Sequence, residues 1–490
     1  MDEEIRKALY DQGRRDFLRG SALGLGSIAL GSLLGCNSAV DRLVKNAAVA
    51  GGEENQPLVN PHFVPRAKRV IYLFQSGGPS QMELFDYKPK LYQMHGQEIP
   101  ASVLGGSRVS GMVSNQNGFP LAAPATDFKQ YGANGTYLSD LIPHTAGIVD
   151  DICIVRSMFT EQINHEPAVI FTQTGNQLSG RPSIGSWISY GLGSLNNNLP
   201  SFVVMVSKGG GDQPISNLAW SNGFLPSHHQ GVQFMSGKDP VLYLSSPDGV
   251  DKMDRRRALN FIKEFNLLQK DKWKDPEIDS RLNQYEMAYR MQMAVPEIAD
   301  LSNEPQHILD MYGPDVKTPG SYAYNCLMAR RLAEKDVRFI QLYHLGWDHH
   351  GRLAPGIRKA TQQTDQASAA LVKDLKQRGL LDDTLVVWGG EFGRTSFCQG
   401  KLTKEEFGRD HLPGAYSIWM AGGGIKSGIQ YGETDDFAYN VVNNKVHVHD
   451  FQATLLYLMG IDHEKFIYKS QGRRYRLTDV SGEIVKGIIA

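Results

Sequence analysis

Apolar runs that stop abruptly in glycine recur along this chain, and they constrain its fold more than any other feature. Lys68 to Gln75 (KRVIYLFQ) runs into Ser76-Gly77-Gly78-Pro79-Ser80. Val337 to Leu345 runs into Gly346-Trp347-Asp348-His349-His350-Gly351. Asp383 to Trp388 (DTLVVW) runs into Gly389-Gly390-Glu391, and Tyr416 to Ala421 into Gly422-Gly423-Gly424. Short runs rich in β-branched and aromatic residues read as buried strands. The glycines let the backbone turn sharply at each strand end. Helical patterns separate the strands at Tyr322 to Glu334, Ala360 to Arg378 and His449 to Leu458. Strands alternating with helices predict an α/β fold, a doubly wound, mostly parallel sheet sandwiched by helices. Such sheets bind ligands at the carboxyl ends of their strands. Polar residues just after a strand are therefore the first candidates for a site.

Further elements fill the pattern. Ile152 to Arg156 and Ser201 to Val206 read as strands, the second closing on Lys208-Gly209-Gly210-Gly211. Leu138 to Ile148, the run up to Thr174 and Ser183 to Leu192 read as helices. Long amphipathic patterns over Asp254 to Tyr312 predict a helical insertion at about residues 252–315, whose Met and Tyr stripe reads as core. Cys153 and Cys326 fall inside apolar patterns and read as core residues. The four cysteines form no CxxC pair, which excludes a disulfide scaffold and a thiolate zinc site. A formal net charge of −1 offers nucleic acid no polyelectrolyte footprint, so no nucleic-acid partner is expected.

The first 35 residues are set apart. Arg14-Arg15-Asp16-Phe17-Leu18-Arg19 precedes a weakly apolar stretch rich in Gly, Ala and Leu, the pattern of a twin-arginine export signal. Leu33-Leu34-Gly35-Cys36 approximates a lipobox, with Leu34 at a place where a smaller residue is usual. The expectation is export to the periplasm or cell surface, with the membrane reached only through a lipid anchor at Cys36. Residues 36–66 read as a polar tether and 67–490 as one domain.

Asp348 and His350 head the candidates, since an acid and an imidazole at a strand end can hold a divalent metal. An isolated Asp-His pair in a loop is more often solvated, and His349 is read as solvated or supporting. Glu391 is a ligand, a general base or the partner of Arg394. Arg394 and Arg156 stand at strand ends, either to clamp an anion or to neutralise a nearby carboxylate. His447 and His449 stand near a helix start, and His228-His229 lies in a Ser/Gly/Pro loop and is expected to be exposed.

Three C-terminal stretches carry a resemblance: RGLLDDTLVVWGGEFGRT, GRDHLPGAYSIWMAGGGIKSG and HVHDFQATLLYLMGI. In order and spacing they resemble the sulfatase and alkaline phosphatase superfamily over roughly residues 345–462. VIYLFQSGGPSQMELFDYKP, GWDHHG, EFGRT and GRDHLP more closely resemble a branch catalogued as domain of unknown function 1501, from Lys68 to the C-terminus. The resemblance implies that Asp348, His350 and His411 hold a metal ion, with Asp410 beside His411 and Glu391 at the place of a liganding Asp. Phe392 stands where the superfamily has a second imidazole, and Ser76 where it has a first carboxylate. One divalent ion (zinc, calcium, magnesium or manganese) is therefore expected rather than two. Counting back nine residues from Thr174 puts His165 at the nucleophile's place, where the superfamily uses Cys or Ser. His165 is left as nucleophile, metal ligand or general acid. The resemblance implies hydrolysis of an anionic phosphate or sulfate ester, on a small molecule or a polysaccharide. The competing expectation is a non-catalytic relative that serves as a binding or assembly subunit.

Overall fold

A computed structural model describes residues 55–490, apart from 59, 107–108, 208–214, 236–251, 274–276 and 404. The export signal, Cys36 and Lys208-Gly209-Gly210-Gly211 lie outside the described residues. Contacts within the chain group residues 57–466 and 473–490 into one compact unit, which carries everything discussed below.

The unit is organised on a nine-stranded sheet. Its strands are β1 (Arg69–Ser76), β2 (Ile152–Phe159), β3 (Phe202–Val206), β4 (Val232–Phe234), β5 (Phe339–Leu345), β6 (Thr384–Gly389), β7 (Tyr416–Ala421), β8 (Ile429–Tyr431) and β9 (Val446–His447). Their order is β8-β2-β7-β6-β1-β5-β3-β4, with β9 also on β2. β1 is central and parallel to both neighbours, Val70 lying beside Phe339 of β5 and Leu385 of β6. Every residue of β1 and β6 is buried. A strand covered on both faces reads as a continuous apolar run rather than an alternation, which is why these were the clearest strands in the sequence.

Both faces are covered by helices. Ile71, Leu73, Ile340, Leu342, Val386 and Trp388 share a core with Cys326, Leu327, Leu371 and Val372 of α5 (Tyr322–Glu334) and α6 (Leu353–Gln377). On the opposite face Tyr72 and Phe74 lie edge-on to one another, and Tyr72 packs on Phe451 of α7 (Val448–Leu458). Two further helices, α1 (His165–Thr174) and α2 (Ile184–Leu192), follow β2. The insertion folds as α3 (Lys252–Trp273) and α4 (Glu277–Ala299), and Met291, Val295 and Ile298 anchor α4 to the α5 side of the core. Among the described residues no helix is long and apolar enough to cross a membrane.

Two expectations need correction. Leu138 to Ile148 is not a helix: Thr136–Ser139 pairs with Phe128–Tyr131 as a ribbon, and only Pro143–Ala146 makes a helical turn. Pro143 sits at the first helical position, which proline favours, so the helix cannot extend back through it. Residues 57–66 are docked rather than free: Leu58 N–H donates to the Gly191 carbonyl, and the Phe63 ring lies 5.2 Å from that of Tyr457. Within the mostly parallel sheet, as expected, one strand is reversed: β7 is antiparallel to β6 and β2. Its glycines, Gly422 to Gly424, therefore sit at the amino edge of the parallel strands. The segment entering β7 lies at the carboxyl edge instead, and that segment carries His411.

Candidate metal centre

Topology brings five segments to one edge. The turn after β1 carries Gly77, the turn after β5 carries Asp348 to His350, and the turn after β6 carries Glu391 to Arg394. His165 opens α1 after β2, and His411 pairs with Arg394 in a two-residue ribbon just before β7. Gly77 has φ +113°, and a Cβ there would stand 2.6 Å from the Asp348 amide nitrogen. Only glycine fits this close approach of the first turn to the second.

His165, Asp348, His350 and His411 form one cluster, with one potential ligand atom from each lying within 4.8 Å of all the others. The Asp348 carboxylate faces three imidazole nitrogens: His350 Nε2 at 2.9 Å, His165 Nε2 at 3.2 Å and His411 Nε2 at 3.6 Å. The other nitrogen of every ring is engaged. His165 Nδ1 is 2.5 Å from Glu391 Oε1, His350 Nδ1 is 2.7 Å from Gln399 Oε1, and His411 Nδ1 is 2.6 Å from the Ile163 carbonyl. A carboxylate, an amide oxygen and a carbonyl can only accept, so each Nδ1 carries a proton. In a neutral ring Nε2 then holds a lone pair. Among the described residues none of these buried Nε2 atoms has a hydrogen-bond partner. Three lone pairs aimed at a carboxylate repel unless extra protons or a cation lies among them. Buried polar groups left in this state ask for a ligand. Imidazoles whose outer N–H is tied to an acceptor are the usual arrangement of metal-binding histidines. The residues present therefore fit a metal ion.

The electrostatics follow from the same contacts. Burial disfavours the charged form of His165, but the neighbouring Asp348 and Glu391 carboxylates outweigh it and raise its pKa to about 9. Burial would raise the Asp348 pKa; His165, His350, His411 and the Arg394 guanidinium together hold it far below the usual carboxylate range. His411 is lowered, chiefly by burial. The Asp348 side chain keeps 29 % of its exposure, whereas those of His165 and His411 keep 7 % and 2 %. The cluster therefore meets solvent through Asp348 and His350, whose side chain keeps 22 %.

The other predicted residues are placed as follows. Glu391 is fully buried and is not in the cluster; its Oε1 accepts from His165 Nδ1 and, at 2.9 Å, from the Gly77 amide. It supports a ligand rather than being one. Arg394 is also fully buried. Its guanidinium donates to the carbonyls of Gly77, Gly78 and Arg409 and, at 2.6 Å, to Asp348 Oδ1. With those bonds made it is a strut that fixes Asp348 and has no free fork for an anion, which corrects the anion-clamp expectation. Asp410 turns away from the cluster: its carboxylate accepts from the hydroxyl and amide of Ser110 at 2.6 and 3.1 Å. Neighbours in a strand point to opposite sides, and only His411 of this pair can face the cluster. Arg156 pairs loosely with Asp86 at 3.8 Å. His349 packs near Gly356 at the start of α6, where burial, with Arg394 second, lowers its pKa to about 4. His447 caps α7, as its place near a helix start suggested. His229, expected to be exposed, is buried against the Ser189 hydroxyl at 2.9 Å and the Tyr190 ring.

The Phe392 ring stands 4.8 Å from His165 and 4.6 Å from His411, closing that side of the cluster with apolar surface. Two supporting residues escaped the sequence reading. Gln399 orients His350, and Gln81 ties down the turn by accepting from the Arg394 amide at 2.9 Å. A lone glutamine, in a loop as Gln399 or opening a short helical turn as Gln81, carries no spacing signal that could have exposed either.

No curated protein matches the chain in sequence. Among solved structures it is similar to the lipoteichoic acid synthase LtaP from Listeria monocytogenes, at 8% identity over 86% of this chain and 77% of that one, TM-score 0.33. It is similar to the PsFucS1 sulfatase from Pseudoalteromonas sp., at 14% identity over 87% and 72%, TM-score 0.35. A protein in the alkaline phosphatase superfamily from Vibrio parahaemolyticus is similar at 10% identity over 83% and 70%, TM-score 0.32. At such scores these likenesses decide nothing about the chemistry, which the residues themselves must carry. A family described as protein of unknown function (DUF1501) matches residues 67–489, the whole of the sheet and every member of the cluster, and the chain belongs to that family.

Proposed function

We propose that this protein is an exported, metal-dependent hydrolase of phosphate or sulfate esters. The observation that carries the reading is the convergence of three Nε2 lone pairs on Asp348 at the carboxyl edge of the sheet. His165, His350, His411 and Asp348 would hold the ion. Three imidazoles and one carboxylate favour zinc, then manganese; calcium and magnesium prefer all-oxygen sites. When bound, the ion supplies a Lewis acid that polarises an ester oxygen and lowers the pKa of a coordinated water. The chain's own residues set its surroundings. Glu391 keeps the His165 proton on Nδ1 and so keeps Nε2 available. Arg394 holds Asp348 in place, and Phe392 excludes water from one side. Ser76 lines a small recess together with His165, Glu166 and Ser216, which puts an alcohol close to the cluster.

The tests are metal analysis of the purified mature protein and a turnover screen with aryl phosphates and aryl sulfates. The expected result is about one divalent ion per chain, lost on replacing Asp348, His350 or His411 singly. A protein without metal, or variants that retain it, would refute the reading. One observation favours a second reading, a non-catalytic binding subunit: Phe392 occupies the side on which the superfamily resemblance would place another imidazole. Metal present with silence across both ester panels selects it. Export by the twin-arginine route and lipidation at Cys36 belong to the same proposal. Mass spectrometry of the mature N-terminus tests them, and a chain that keeps residues 1–35 unprocessed sinks both.

A further inference from the structure

A cleft of about 660 Å³ lies against the start of α6. That volume falls within the roughly 300–1,000 Å³ of small-molecule sites. Tyr92, His95, Asp127, Asp140, Arg358 and Phe407 line it.

Its walls are continuations of the segments that build the metal centre. The turn bearing Asp348 and His350 runs directly into α6, which supplies Arg358. Gln399, which orients His350, runs into the loop that supplies Phe407 and then into His411. The two walls are stitched together, Arg352 and Leu353 amides donating to the Glu406 and Phe407 carbonyls at 3.0 and 2.9 Å. A ligand in this cleft would therefore rest on the same two segments that position His350.

The lining selects by charge and by donors. Arg358 brings one cation, and Asp127 and Asp140 bring two carboxylates. A free anion meets both acids, and a free cation meets the guanidinium. Neither the Arg358 nor the Asp127 side chain forms a hydrogen bond or ion pair among the described residues, so their polar atoms are available. His95 Nδ1 accepts from the Ala123 amide at 3.0 Å, which leaves an Nε2 donor in the neutral ring. Tyr92 is pinned through its hydroxyl to the Thr126 carbonyl at 2.9 Å and offers a ring with a polar rim. Acceptors, donors and aromatic surface with little net charge suit a neutral, many-hydroxyl ligand.

We infer that this cleft binds the uncharged sugar portion of a glycan ester, a role that rests on the hydrolase reading and names its substrate class. The ester group would lie at the metal centre and the neighbouring sugar units in the cleft.

The experiment uses the mature chain with its metal and, as probes, cellotriose, maltotriose and galactotriose, followed by ligand-observed magnetic resonance and calorimetry. At least one trisaccharide should bind, and Arg358→Ala and Asp127→Asn should each weaken it about tenfold, the loss of one hydrogen bond to a charged group. Both residues are exposed, so neither change threatens folding. Asp348→Ala should leave sugar binding unchanged while abolishing metal binding. No binding by any of the three sugars, or binding indifferent to both cleft variants, overturns the inference. Sugar binding without turnover of any ester retains the cleft and refutes the hydrolase reading; ester turnover without sugar binding does the reverse.

Discussion

Five buried or half-buried histidines of this chain share one chemistry and divide into two regions. His229 and His344 have Nδ1 beside a serine hydroxyl, of Ser189 at 2.9 Å and of Ser207 at 2.7 Å, and their rings lie edge-on to Tyr190 and Tyr322. Among the described residues no carboxylate pairs with either. Burial alone then dominates and lowers their pKa values to about 3 and about 4. His165, His350 and His411 are of the second kind. Each has Nδ1 tied to an oxygen that cannot donate, and all three spare nitrogens meet one aspartate. His344 lies on β5, four residues before Asp348 in the turn that follows, so neither burial nor sequence proximity makes a ligand. His344 Nε2 is buried without a hydrogen-bond partner too, so what sets the ligands apart is the anion they share.

That contrast can be broken experimentally. Asp348→Ala removes the shared anion and leaves three Nε2 atoms and the Arg394 guanidinium facing one another. Metal content should fall below detection, and inductively coupled plasma mass spectrometry measures it; a variant with undiminished metal would end the comparison. Gly77→Ala comes next. A Cβ there meets the Asp348 backbone at a positive φ, which L residues avoid. The expected loss is about 3 kcal/mol in urea unfolding, from backbone strain together with the clash. Unfolding that matches the parent would show that the turns are not locked together.

Glu391→Gln sharpens the distinction between ligand and support. It removes the charge behind His165 but not the ligand, so metal affinity should drop about 10–100-fold without being abolished. Competition with a chromogenic chelator reads this, and complete loss would make Glu391 a ligand after all. The smallest effect belongs to the other region. The folded pKa values of His229 and His344 lie below the unfolded value of 6.5, so the unfolded chain takes up protons first. Their stabilising contribution is full above pH 6.5 and is lost as pH falls toward 4, by at most about 1.4 kcal/mol per pH unit for each. His229→Gln should flatten the acid slope of a urea midpoint series. A slope unchanged from the parent's would erase the distinction.

Much of the architecture was legible because the central strands are buried on both faces. β1, β5 and β6 read as runs dominated by apolar and β-forming residues, and glycine marked each of their ends. Asp348, His350 and His411 were legible as ligand-type residues once a family resemblance linked segments far apart in the chain. The roles of their neighbours were not. Glu391, Arg394 and Asp410 are equally plausible ligands or clamps in sequence. Only side-chain direction decides that Glu391 backs His165, that Arg394 is consumed by three carbonyls and Asp348, and that Asp410 turns to Ser110.

By itself, then, the sequence determined the strands, their glycine-marked ends and the chemical types standing there, because propensity and burial pattern are local properties of a chain. Tertiary structure decided which ends meet. Reversal of β7 carried His411 to the carboxyl edge and Gly422 to Gly424 away from it. The first turn of α1 brought His165 to within 3.2 Å of Asp348. A metal centre depends on distances of a few ångströms between residues hundreds of positions apart, and strand order and direction set those distances.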